Sequence, residues 1–456
     1  MTGDGKQAMR AENNKQLKIT FYGDDFTGAT DTLATAARAG LRALLFLGLP
    51  TDDQLRRAGT LDCLGIAGAA RAMSPSEMQR ELAPVGRLFA ALGAPVVHYK
   101  TCSTFDSAPG VGSIGAALGI LRQYVGNPFL PIVGGQPNLR RYCVFGNLFA
   151  GVGGAGVVSR IDRHPTMSRH PVTPMAEADL ARHLALQGLE RIASLDYTAY
   201  AEPAATLDRY LDHLLAQRPG AVLMDVTHTR DLSIVGRLIW QSAQREPLLA
   251  AGASSVIQAL AACWQGDRET SIALPPVAAA AGPVLILAGS LSPVTAVQLR
   301  NAASYQQLPI DAARLVTQSA YAAQLASELA ALLRAGRSVL ACTSGTSAQS
   351  ESHTAAPNAT EAPNSRALAI ACGKLLADVL RQAPLKRIGI AGGDTSSHAV
   401  QALDAWGLSY LTQLDAGVAL CRLHSGNAAL DGMEIMLKGG QMGGDDLFER
   451  LLHGTD

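Results

Sequence analysis

A short apolar strand that ends in two adjacent carboxylates is the feature that most constrains this 456-residue chain. The apolar run at residues 19–22 stops at a glycine, Asp24 and Asp25 follow, and an amphipathic helical pattern covers residues 29–39. The carboxyl end of a strand that leads into a helix is where α/β proteins place functional groups, because backbone N–H groups are free there. Two neighbouring Asp side chains repel each other unless a cation, a proton or a polyol lies between them. The alternative is structural: Asp25 caps the helix and Asp24 lies in solvent.

Apolar runs of strand length alternate with helical periodicity along the chain, which is typical of parallel sheets covered by helices on both faces. We predict strands at residues 18–22, 42–47, 63–67, 96–100, 221–225, 284–288, 338–342, 387–391 and 434–438. Ser74 and Ser292 each precede a proline and predict two helix starts, with helices extending to Leu92 and through Leu299. The predicted fold class is α/β, with two domains that each contain a mainly parallel sheet.

The composition changes at residues 274–283, where prolines and small residues separate two series of strands and helices. We therefore predict a polar N-terminal tail at 1–15, a first domain at 16–274, a linker at 275–283 and a second domain at 284–456. Residues 345–365 are rich in Ser, Thr, Ala, Asn and Pro and lack a periodic apolar face, so we expect a disordered or mobile loop there.

The charge balance argues against several classes of protein. Lys and Arg total 38, as do Asp and Glu, and 17% of the residues are charged, so neither nucleic acid nor a membrane surface is an expected partner. The polar first 16 residues and the lack of an apolar run of about 18 residues predict neither a signal peptide nor a membrane span. Seven scattered cysteines without a C-x-x-C motif favour reduced thiols. We expect a cytoplasmic enzyme, and a homodimer is compatible with the sequence.

Glycine-rich loops follow three predicted strands in the C-terminal half of the chain. They are Gly289-Ser290, Gly392-Gly393-Asp394-Thr395 and Lys438-Gly439-Gly440. Such loops bind anions, because glycine lets backbone amides approach a ligand and a helix N-terminus carries partial positive charge. In a parallel sheet the three loops would lie at one edge, as the phosphates and ribose of a nucleotide require. The alternative is that Asp394 or Thr395 only caps its helix.

A second polar motif follows the predicted strand at residues 96–100. Lys100 precedes Cys102, Ser103 and Thr104, and a Lys beside hydroxyls suits a carboxylate ligand. Arg71 is a second candidate for that ligand, because a guanidinium binds a carboxylate bidentately. Alternatively, the Lys100 side chain only extends its ammonium to solvent. No Cys–His pairing is readable, so a thiol nucleophile is not expected.

Residues 144–174 contain a glycine-rich turn region, and we expect them to be neither strand nor helix over much of their length. His164 and His170 lie there among arginines. Metal ligation is disfavoured, because no Cys or acidic residue lies at ligand spacing. Anion steering or a lid is one interpretation, and ordinary loop packing is the other.

In this order, the motifs resemble those of the four-carbon acid sugar kinases. They are Asp24-Asp25-Phe26-Thr27-Gly28-Ala29, Tyr99-Lys100, Cys102-Ser103-Thr104-Phe105-Asp106-Ser107 and the three glycine loops. The resemblance spans essentially the whole chain. It implies an ATP-dependent enzyme that phosphorylates the terminal (C4) hydroxyl of a tetronate such as threonate, erythronate or 3-oxo-tetronate. It also implies that the N-terminal domain binds the acid sugar, that the C-terminal domain binds ATP, and that the active site lies in the cleft between them.

The resemblance also implies roles for individual residues. The substrate-contacting residues would be Asp24 or Asp25, Arg71, Lys100, Ser103 and Thr104. The ATP-contacting residues would be Ser290, Gly392, Gly393, Asp394, Thr395 and Gly440. Two positions depart from many relatives, which have Glu at Asp394 and Asp at Cys102; the second departure bears on which tetronate is used.

For phosphoryl transfer, a protein has to align the reacting groups and compensate their charge. We expect Asp25, or else Asp24, to accept the proton of the attacking hydroxyl, while Arg71 and Lys100 bind the substrate carboxylate. Mg²⁺ bridging the phosphates would need one or two carboxylates and water, and no dedicated metal site is expected from the sequence. Two rival interpretations are a two-lobed sugar-acid sensor without catalysis and an oxidoreductase. The second is disfavoured because no G-x-G-x-x-G follows the first strand.

Overall fold

Short runs of apolar residues between turn-forming residues become the strands of this fold. The computed structural model describes residues 17–152, 156–170, 172–265, 276–289, 292–343 and 365–455, with the backbone alone at Ser365 and Asp394. The chain divides into two compact units, unit 1 (Met1–Ala273) and unit 2 (Leu274–Asp456). The predicted tail at 1–15 and nearly all of the predicted loop at 345–365 lie outside the described residues.

Unit 1 is built on parallel strands. The strands are β1 (Ile19–Gly23), β2 (Ala43–Phe46), β3 (Cys63–Ala67), β4 (Val96–Lys100), β5 (Pro131–Val133), β6 (Arg141–Val144), β7 (Asn147–Gly151), β8 (Val158–Arg160), β9 (Ile192–Leu195), β10 (Ala221–Met224) and β11 (Leu248–Gly252). Within the described residues, eight of them pair in parallel in the order β2-β3-β1-β4-β11-β5-β10-β9. β6, β7 and β8 form a separate antiparallel sheet.

The helices of unit 1 follow the strands. They are α1 (Phe26–Arg38), α2 (Asp52–Ala58), α3 (Pro75–Leu92), α4 (Ile114–Leu121), α5 (Leu180–Ala185), α6 (Ala204–Ala216), α7 (Asp231–Ala243) and α8 (Ser255–Gln265). α3 begins where Ser74 predicts it, and a capping box joins Ser74 to Glu77. α1 begins at Phe26, three residues before the predicted start, because Asp25 caps it.

Unit 2 also has a mainly parallel sheet. Its strands are β12 (Val284–Ala288), β13 (Gln306–Pro309), β14 (Val339–Cys342), β15 (Arg387–Ala391), β16 (Gly407–Asp415), β17 (Val418–His424) and β18 (Glu434–Lys438). Its helices are α9 (Pro293–Asn301), α10 (Ala312–Thr317), α11 (Ser319–Arg334), α12 (Ser365–Gln382), α13 (Gly393–Gln401) and α14 (Leu447–His453). In the described part of unit 2 the order is β13-β14-β12-β15-β18-β17-β16, and only the pairs β18–β17 and β17–β16 are antiparallel.

The predicted α/β class is confirmed, and all nine predicted strands are present to within one residue at either end. The prediction missed strands of three to five residues such as β5 and β8, which are too short to show a period. It also missed β11, whose Leu-Leu-Ala-Ala-Gly sequence is typical of a helix. In the described part of residues 144–174, β7 and β8 are short strands, and much of the rest is neither strand nor α-helix, as the sequence predicts.

The first four strands of each unit have the same spatial order. In unit 1 this is β2-β3-β1-β4, and in unit 2 it is β13-β14-β12-β15. The chain therefore crosses from one side of β1, or of β12, to the other. Loops at the carboxyl ends of strands diverge at such a point and leave a crevice for ligands.

The sequence also predicts reduced thiols and no membrane-spanning helix. All seven cysteines are free. Among the helices that the structure describes, none has both the length and the apolar character needed to cross a membrane.

We expect Gly65→Ala to destabilise unit 1. Gly65 pairs directly with Phe21 across β3 and β1, and a Cβ at Gly65 would overlap the Phe21 ring, which is fully buried. Overpacking of this kind costs about 1–3 kcal/mol. Urea unfolding of the two purified proteins measures the difference.

Gly119→Ala is the matched control for that prediction. Gly119 lies in α4 and is exposed, and nothing lies within 4 Å of a Cβ built there. The same substitution should stabilise the chain by roughly 0.5–1 kcal/mol, because alanine is the better helix former. Equal effects of the two substitutions would contradict the packing argument.

Candidate functional site

Four ionisable side chains meet at the carboxyl edge of the unit 1 sheet. Parallel pairing places Gly23 of β1 beside Ala67 of β3 and Lys100 of β4, so that the loops after these strands are neighbours. Backbone hydrogen bonds join the loops: Arg71 N donates to Asp24 O, and Asp24 N donates to Lys100 O, each at 3.0 Å. We call the resulting group the unit 1 cluster: Asp24, Asp25, Arg71 and Lys100.

Asp25 uses both of its carboxylate oxygens within the protein. Oδ1 accepts from Gly28 N at 2.9 Å, and Oδ2 accepts from Thr27 Oγ1 at 2.6 Å. Arg71 Nη2 lies 2.9 Å from Oδ2 in a salt bridge. Burial opposes ionisation of Asp25, but the charges of Arg71 and Lys100 and the hydrogen bonds from Thr27 and Gly28 together outweigh it, and the pKa of Asp25 is lowered. The structural alternative is therefore correct that Asp25 caps α1, although the carboxylate also has a cationic partner.

Asp24 lies in the interior, so the alternative that it lies in solvent is wrong. It is 2% exposed, and its Oδ1 atom has no hydrogen-bond partner among the described residues. Burial, followed by the charge of Asp25, raises the pKa of Asp24 to about 7, against the opposing influence of Arg71 and Lys100. The two neighbouring carboxylates thus have pKa values on opposite sides of their ordinary value, an arrangement that is common where one group must exchange a proton.

Lys100 points inward. It is 3% exposed, its Nζ donates to Thr101 O at 2.7 Å, and a Cβ at Gly28 would overlap that ammonium. The alternative that Lys100 extends to solvent is therefore wrong. The missing side chain of Gly28 lets the ammonium approach the start of α1, where Asp25 also lies.

The hydroxyls and the thiol after β4 lie beside the cluster. Thr104 is buried and its Oγ1 lies 3.1 Å from Cys102 Sγ, while Ser103 is partly exposed. Burial raises the pKa of Cys102 to about 12, so this side chain is a neutral thiol near pH 7. A neutral thiol is a poor nucleophile.

The two histidines after β8 pack the loop that contains them. His164 is buried, and its Nδ1 accepts from Thr166 N and Met167 N at 3.2 Å. His170 Nδ1 accepts from Thr173 N at 3.1 Å. These local bonds match the loop-packing interpretation. Throughout the described ranges, no three His, Cys, Asp or Glu side chains group together as a metal site would require.

Three loops also lie side by side at the carboxyl edge of the unit 2 sheet. Gly289 N donates to Ala391 O, and Gly392 N donates to Lys438 O, each at 2.9 Å. Gly392 is the N-cap residue of α13 and has a φ of +124°, which favours glycine. Because Gly392 has no capping side chain, the first amides of α13 are available to an anion. The predicted contact Ser290 and the side chain of Asp394 lie outside the described residues.

Thr395 stands against the first of these loops. A Cβ at Gly289 would overlap Thr395 Oγ1, so only glycine lets the two loops approach this closely. Thr395 is buried in the first turn of α13. The structure thus brings the predicted residues Gly392, Gly393 and Thr395 together with Gly289.

Lys438 holds the third loop in place, a role that the sequence analysis did not assign. Its ammonium is fully buried and donates to Thr295 Oγ1 at 2.8 Å and to Gln298 Oε1 at 2.6 Å. Thr295 in turn donates to Gly440 O at 3.1 Å. Burial lowers the pKa of Lys438 to about 7. The strand-end position pointed to Lys438, but its partners on α9 are separated from it by about 140 residues.

Gln298 extends this support along the loop. Its Nε2 donates to three successive carbonyls, those of Met442, Gly443 and Gly444, at 2.9 to 3.1 Å. A fully buried Gln that bonds three carbonyls fixes the backbone of a glycine-rich segment, which would otherwise be free to rearrange.

Two more charged residues near the unit 1 cluster were missed as site residues. Asp106 occurs in the motif after β4 and is 6% exposed. Arg141 lies at the start of β6, and its electrostatic partners include Cys102 and Asp106. No sequence signal marks Arg141, because the antiparallel sheet that presents it is made of very short strands.

Comparison with known proteins adds independent findings. Residues 19–260 match the family model described as a sugar-binding N-terminal domain, and residues 285–448 match a nucleotide-binding C-terminal domain. The chain is 38% identical to the 3-oxo-isoapionate kinase of Paraburkholderia graminis, over 96% of this chain and 94% of that protein. It is 30% identical to the 3-oxo-tetronate kinase of Methylobacterium radiotolerans, over 96% of this chain and 99% of that protein. A crystal structure of a Haemophilus influenzae protein shares the fold, with a TM-score of 0.66, 22% identity and coverage of 94% and 98%.

We expect the stability of the chain to depend on the protonation of Asp24. Burial raises the pKa of Asp24 to about 7 in the folded state, whereas an unfolded Asp titrates near about 3.9. Between these values the folded chain holds a proton that the unfolded chain has lost. The stability of the wild type relative to Asp24→Asn should therefore fall as pH rises from about 4 to about 7, by up to about 1.4 kcal/mol per pH unit.

Urea unfolding of both proteins across this pH range measures the difference. Asp62→Asn is the control, because the hydrogen bond from Arg42 lowers the pKa of Asp62. The stability difference for Asp62 should be constant between about pH 5 and pH 7. A constant difference for Asp24 over the same range would contradict its raised pKa.

Proposed function

We propose that this chain, which belongs to the four-carbon acid sugar kinase family and is a phosphotransferase with an alcohol acceptor, uses ATP to phosphorylate a 3-oxo sugar acid. The acceptor in this proposal is the terminal hydroxyl, C4 of a tetronate. The names of the two relatives support a 3-oxo acid as substrate. The single observation that carries the proposal is the unit 1 cluster, where two buried carboxylates with separated pKa values lie among cations at the carboxyl edge of a parallel sheet.

The geometry supports Asp24 as the general base. Both oxygens of Asp25 are engaged by Gly28, Thr27 and Arg71, so Asp25 has little capacity to accept another proton. The Oδ1 atom of Asp24 has no partner among the described residues. A pKa of about 7 also suits a base that works near neutral pH. Asp25 would then neutralise the positive charge of Arg71 and cap the start of α1.

The cations of the cluster would attract the anionic substrate and keep Asp25 ionised. Arg71 and Lys100 both lower the pKa of Asp25 through their charges. The partly exposed Ser103 and the neighbouring Thr104 would hydrogen-bond the hydroxyl and oxo groups of the acid sugar. A neutral, polar lining of this kind suits a ligand rich in oxygen atoms.

Unit 2 would bind the phosphates of ATP. The first amides of α13 and the loops at Gly289, Gly392 and Gly440 fit an anion, because the N-cap residue Gly392 has no side chain. Ser290, Gly393, Asp394 and Thr395 complete the proposed contacts by family resemblance. Mg²⁺ would arrive with ATP as part of the substrate and, when bound, would neutralise charge on the phosphates. We assign it no protein ligand.

We expect Asp24→Asn to abolish most turnover. The test is ATP-dependent phosphorylation of a panel that contains 3-oxo-isoapionate, 3-oxo-tetronate, threonate and erythronate. The wild type should phosphorylate a 3-oxo acid, and Asp24→Asn should lower kcat by about 10²–10⁴-fold with the KM for ATP unchanged, because the base is lost. Asp25→Asn should lower kcat less than Asp24→Asn does.

Asp62→Asn is the control here as well, because Asp62 pairs with Arg42 away from the cluster. Sugar-acid binding without ATP consumption would instead support the sensor interpretation. Normal kcat in Asp24→Asn together with loss of activity in Asp25→Asn would transfer the base to Asp25.

We expect Gly289→Ala to weaken ATP binding alone. The new Cβ would overlap Thr395 Oγ1 and push the first turn of α13 away from the proposed phosphate position. The KM for ATP should rise about tenfold, equivalent to about 1.4 kcal/mol, while the KM for the sugar acid stays unchanged. Gly426→Ala is the control, because Gly426 is exposed and nothing lies within 4 Å of a Cβ there. A rise in the KM for the sugar acid alone would place the nucleotide elsewhere.

A further inference from the structure

Asp106 is a buried carboxylate, and one of its oxygens has no hydrogen-bond partner among the described residues. It is 6% exposed, and its Oδ1 atom is shielded from water with no partner in the part of the chain that the structure describes. A buried carboxylate oxygen normally accepts several hydrogen bonds, and leaving it unpaired is costly. An unpaired oxygen at such a position indicates that a ligand supplies the missing donor.

The backbone around Asp106 is held in a strained and well-supported conformation. Phe105 is buried and has a φ of +55°, in the left-handed region that a bulky residue seldom adopts. The next residue, Ser107, bonds His183 Nε2 at 2.9 Å and accepts from Gln187 Nε2 at 2.8 Å. Ser107 Oγ also donates to Phe105 O at 2.9 Å. This buried network fixes the turn that orients Asp106, and strain of this kind clusters at ligand-binding sites.

Arg141 has a matching unpaired edge. Its Nη1 donates to Leu139 O at 2.7 Å and makes a longer contact with Gly151 O at 3.5 Å, which orients the guanidinium. Its Nε is buried without a hydrogen-bond partner, and among the described residues Arg141 forms no ion pair. Nη1 therefore donates within the protein, whereas the edge formed by Nε and Nη2 donates to no described residue. That edge presents two parallel N–H groups, the arrangement that binds a carboxylate bidentately.

Arg141 and Asp106 lie beside the unit 1 cluster. The charge of Asp106 acts on Arg141 and also on Asp24 and Arg71. A second link runs through the backbone: Arg141 exchanges two hydrogen bonds with Gln136, and the Gln136 side chain reaches Asp31 of α1 at 3.4 Å. The same helix begins at the cluster. The two unpaired groups therefore extend the proposed acid-sugar site away from Asp24.

The other cations of the site already have partners. Arg71 is paired with Asp25 at 2.9 Å, and the Lys100 ammonium donates to Thr101 O at 2.7 Å. Asp25 engages Nη2 of Arg71, and an ammonium such as that of Lys100 has no bidentate edge, whereas no described residue engages the Nε–Nη2 edge of Arg141.

We propose that Arg141 binds the carboxylate of the sugar acid through its Nε–Nη2 edge, while Asp106 accepts a hydrogen bond from the hydroxyl next to that carboxylate. This inference rests on the proposed function. It assigns the carboxylate to a residue outside the motifs that identify the family. Binding satisfies both buried groups at once, because the acid supplies an acceptor for Arg141 and a donor for Asp106.

The test of Arg141 compares the acid with its primary amide. Steady-state kinetics and calorimetric binding without ATP are measured for freshly prepared 3-oxo-tetronate and for the amide. We expect the wild type to prefer the acid at least tenfold, and Arg141→Gln to lose that preference, with the KM for the acid raised at least tenfold and the KM for ATP within twofold. Arg141→Lys should restore little of the preference, because an ammonium lacks the two-pronged edge. Arg182→Gln, at a side chain that is 77% exposed, is the charge control.

The test of Asp106 uses the analogue without the C2 hydroxyl. The wild type should bind this analogue at least tenfold more weakly than the parent acid. Asp106→Ala should bind both compounds with similar affinity, since the side chain then has no acceptor for the hydroxyl proton. A role in folding alone would change both compounds by the same factor and leave their ratio intact, which would overturn the assignment of Asp106.

The outcomes separate this inference from the proposed function. If the wild type phosphorylates the acid and Arg141→Gln keeps the preference for acid over amide, the inference is wrong and the function stands. If no panel acid is phosphorylated, the function fails, and calorimetry decides the inference: weaker acid binding by Arg141→Gln supports it, and unchanged binding overturns it. If Arg141→Gln does not fold, Arg141→Lys is judged by the same ratio. A wild type that binds no sugar acid overturns both.

Discussion

The compensation of buried carboxylates by cations from neighbouring strands is the interaction on which the proposed active site depends. Asp24 and Asp25 lie at the end of a fully buried strand, where two adjacent negative charges would be strongly destabilising. Arg71 and Lys100 come from the loops and ends of the two strands that flank β1, and they lower the pKa of Asp25. At Asp24, burial and the charge of Asp25 outweigh the opposing charges of Arg71 and Lys100. The pKa of Asp24 therefore rises to about 7. One strand end therefore carries an anion and a proton acceptor side by side.

The strand order explains why both proposed sites lie where they do. In each unit the first strand has the third on one side and the fourth on the other, so the loops after these strands diverge. In unit 1 that position holds the charged cluster. In unit 2 that position holds glycines and the start of α13, whose N-cap residue Gly392 has no side chain. Hydrogen bonds of Lys438 and Gln298 stabilise the neighbouring loop. The same topology thus presents side chains at the proposed site of one unit and backbone amides at the proposed site of the other.

Much of the fold and part of the site follow from local sequence patterns. Apolar runs located nine strands, and the Ser-Pro pairs located the starts of α3 and α9, because strand length, caps and prolines are local properties. The family was predicted from its motifs, and the comparisons confirm it. The alternative that Asp24 lies in solvent failed, as did the alternative for Lys100, because the burial of a strand end depends on what packs over it.

The order of residues along the chain was enough to establish two α/β domains, the acidic strand end and the glycine loops, since each is encoded within about ten consecutive residues. Only the folded chain decided how Lys438 supports a loop through α9. It also decided that, among the described residues, Asp24, Asp106 and Arg141 each have a buried polar atom without a hydrogen-bond partner. These properties arise from contacts between residues far apart in sequence. A pKa or an unsatisfied hydrogen bond is set by the surrounding atoms in space, and no local pattern contains that information.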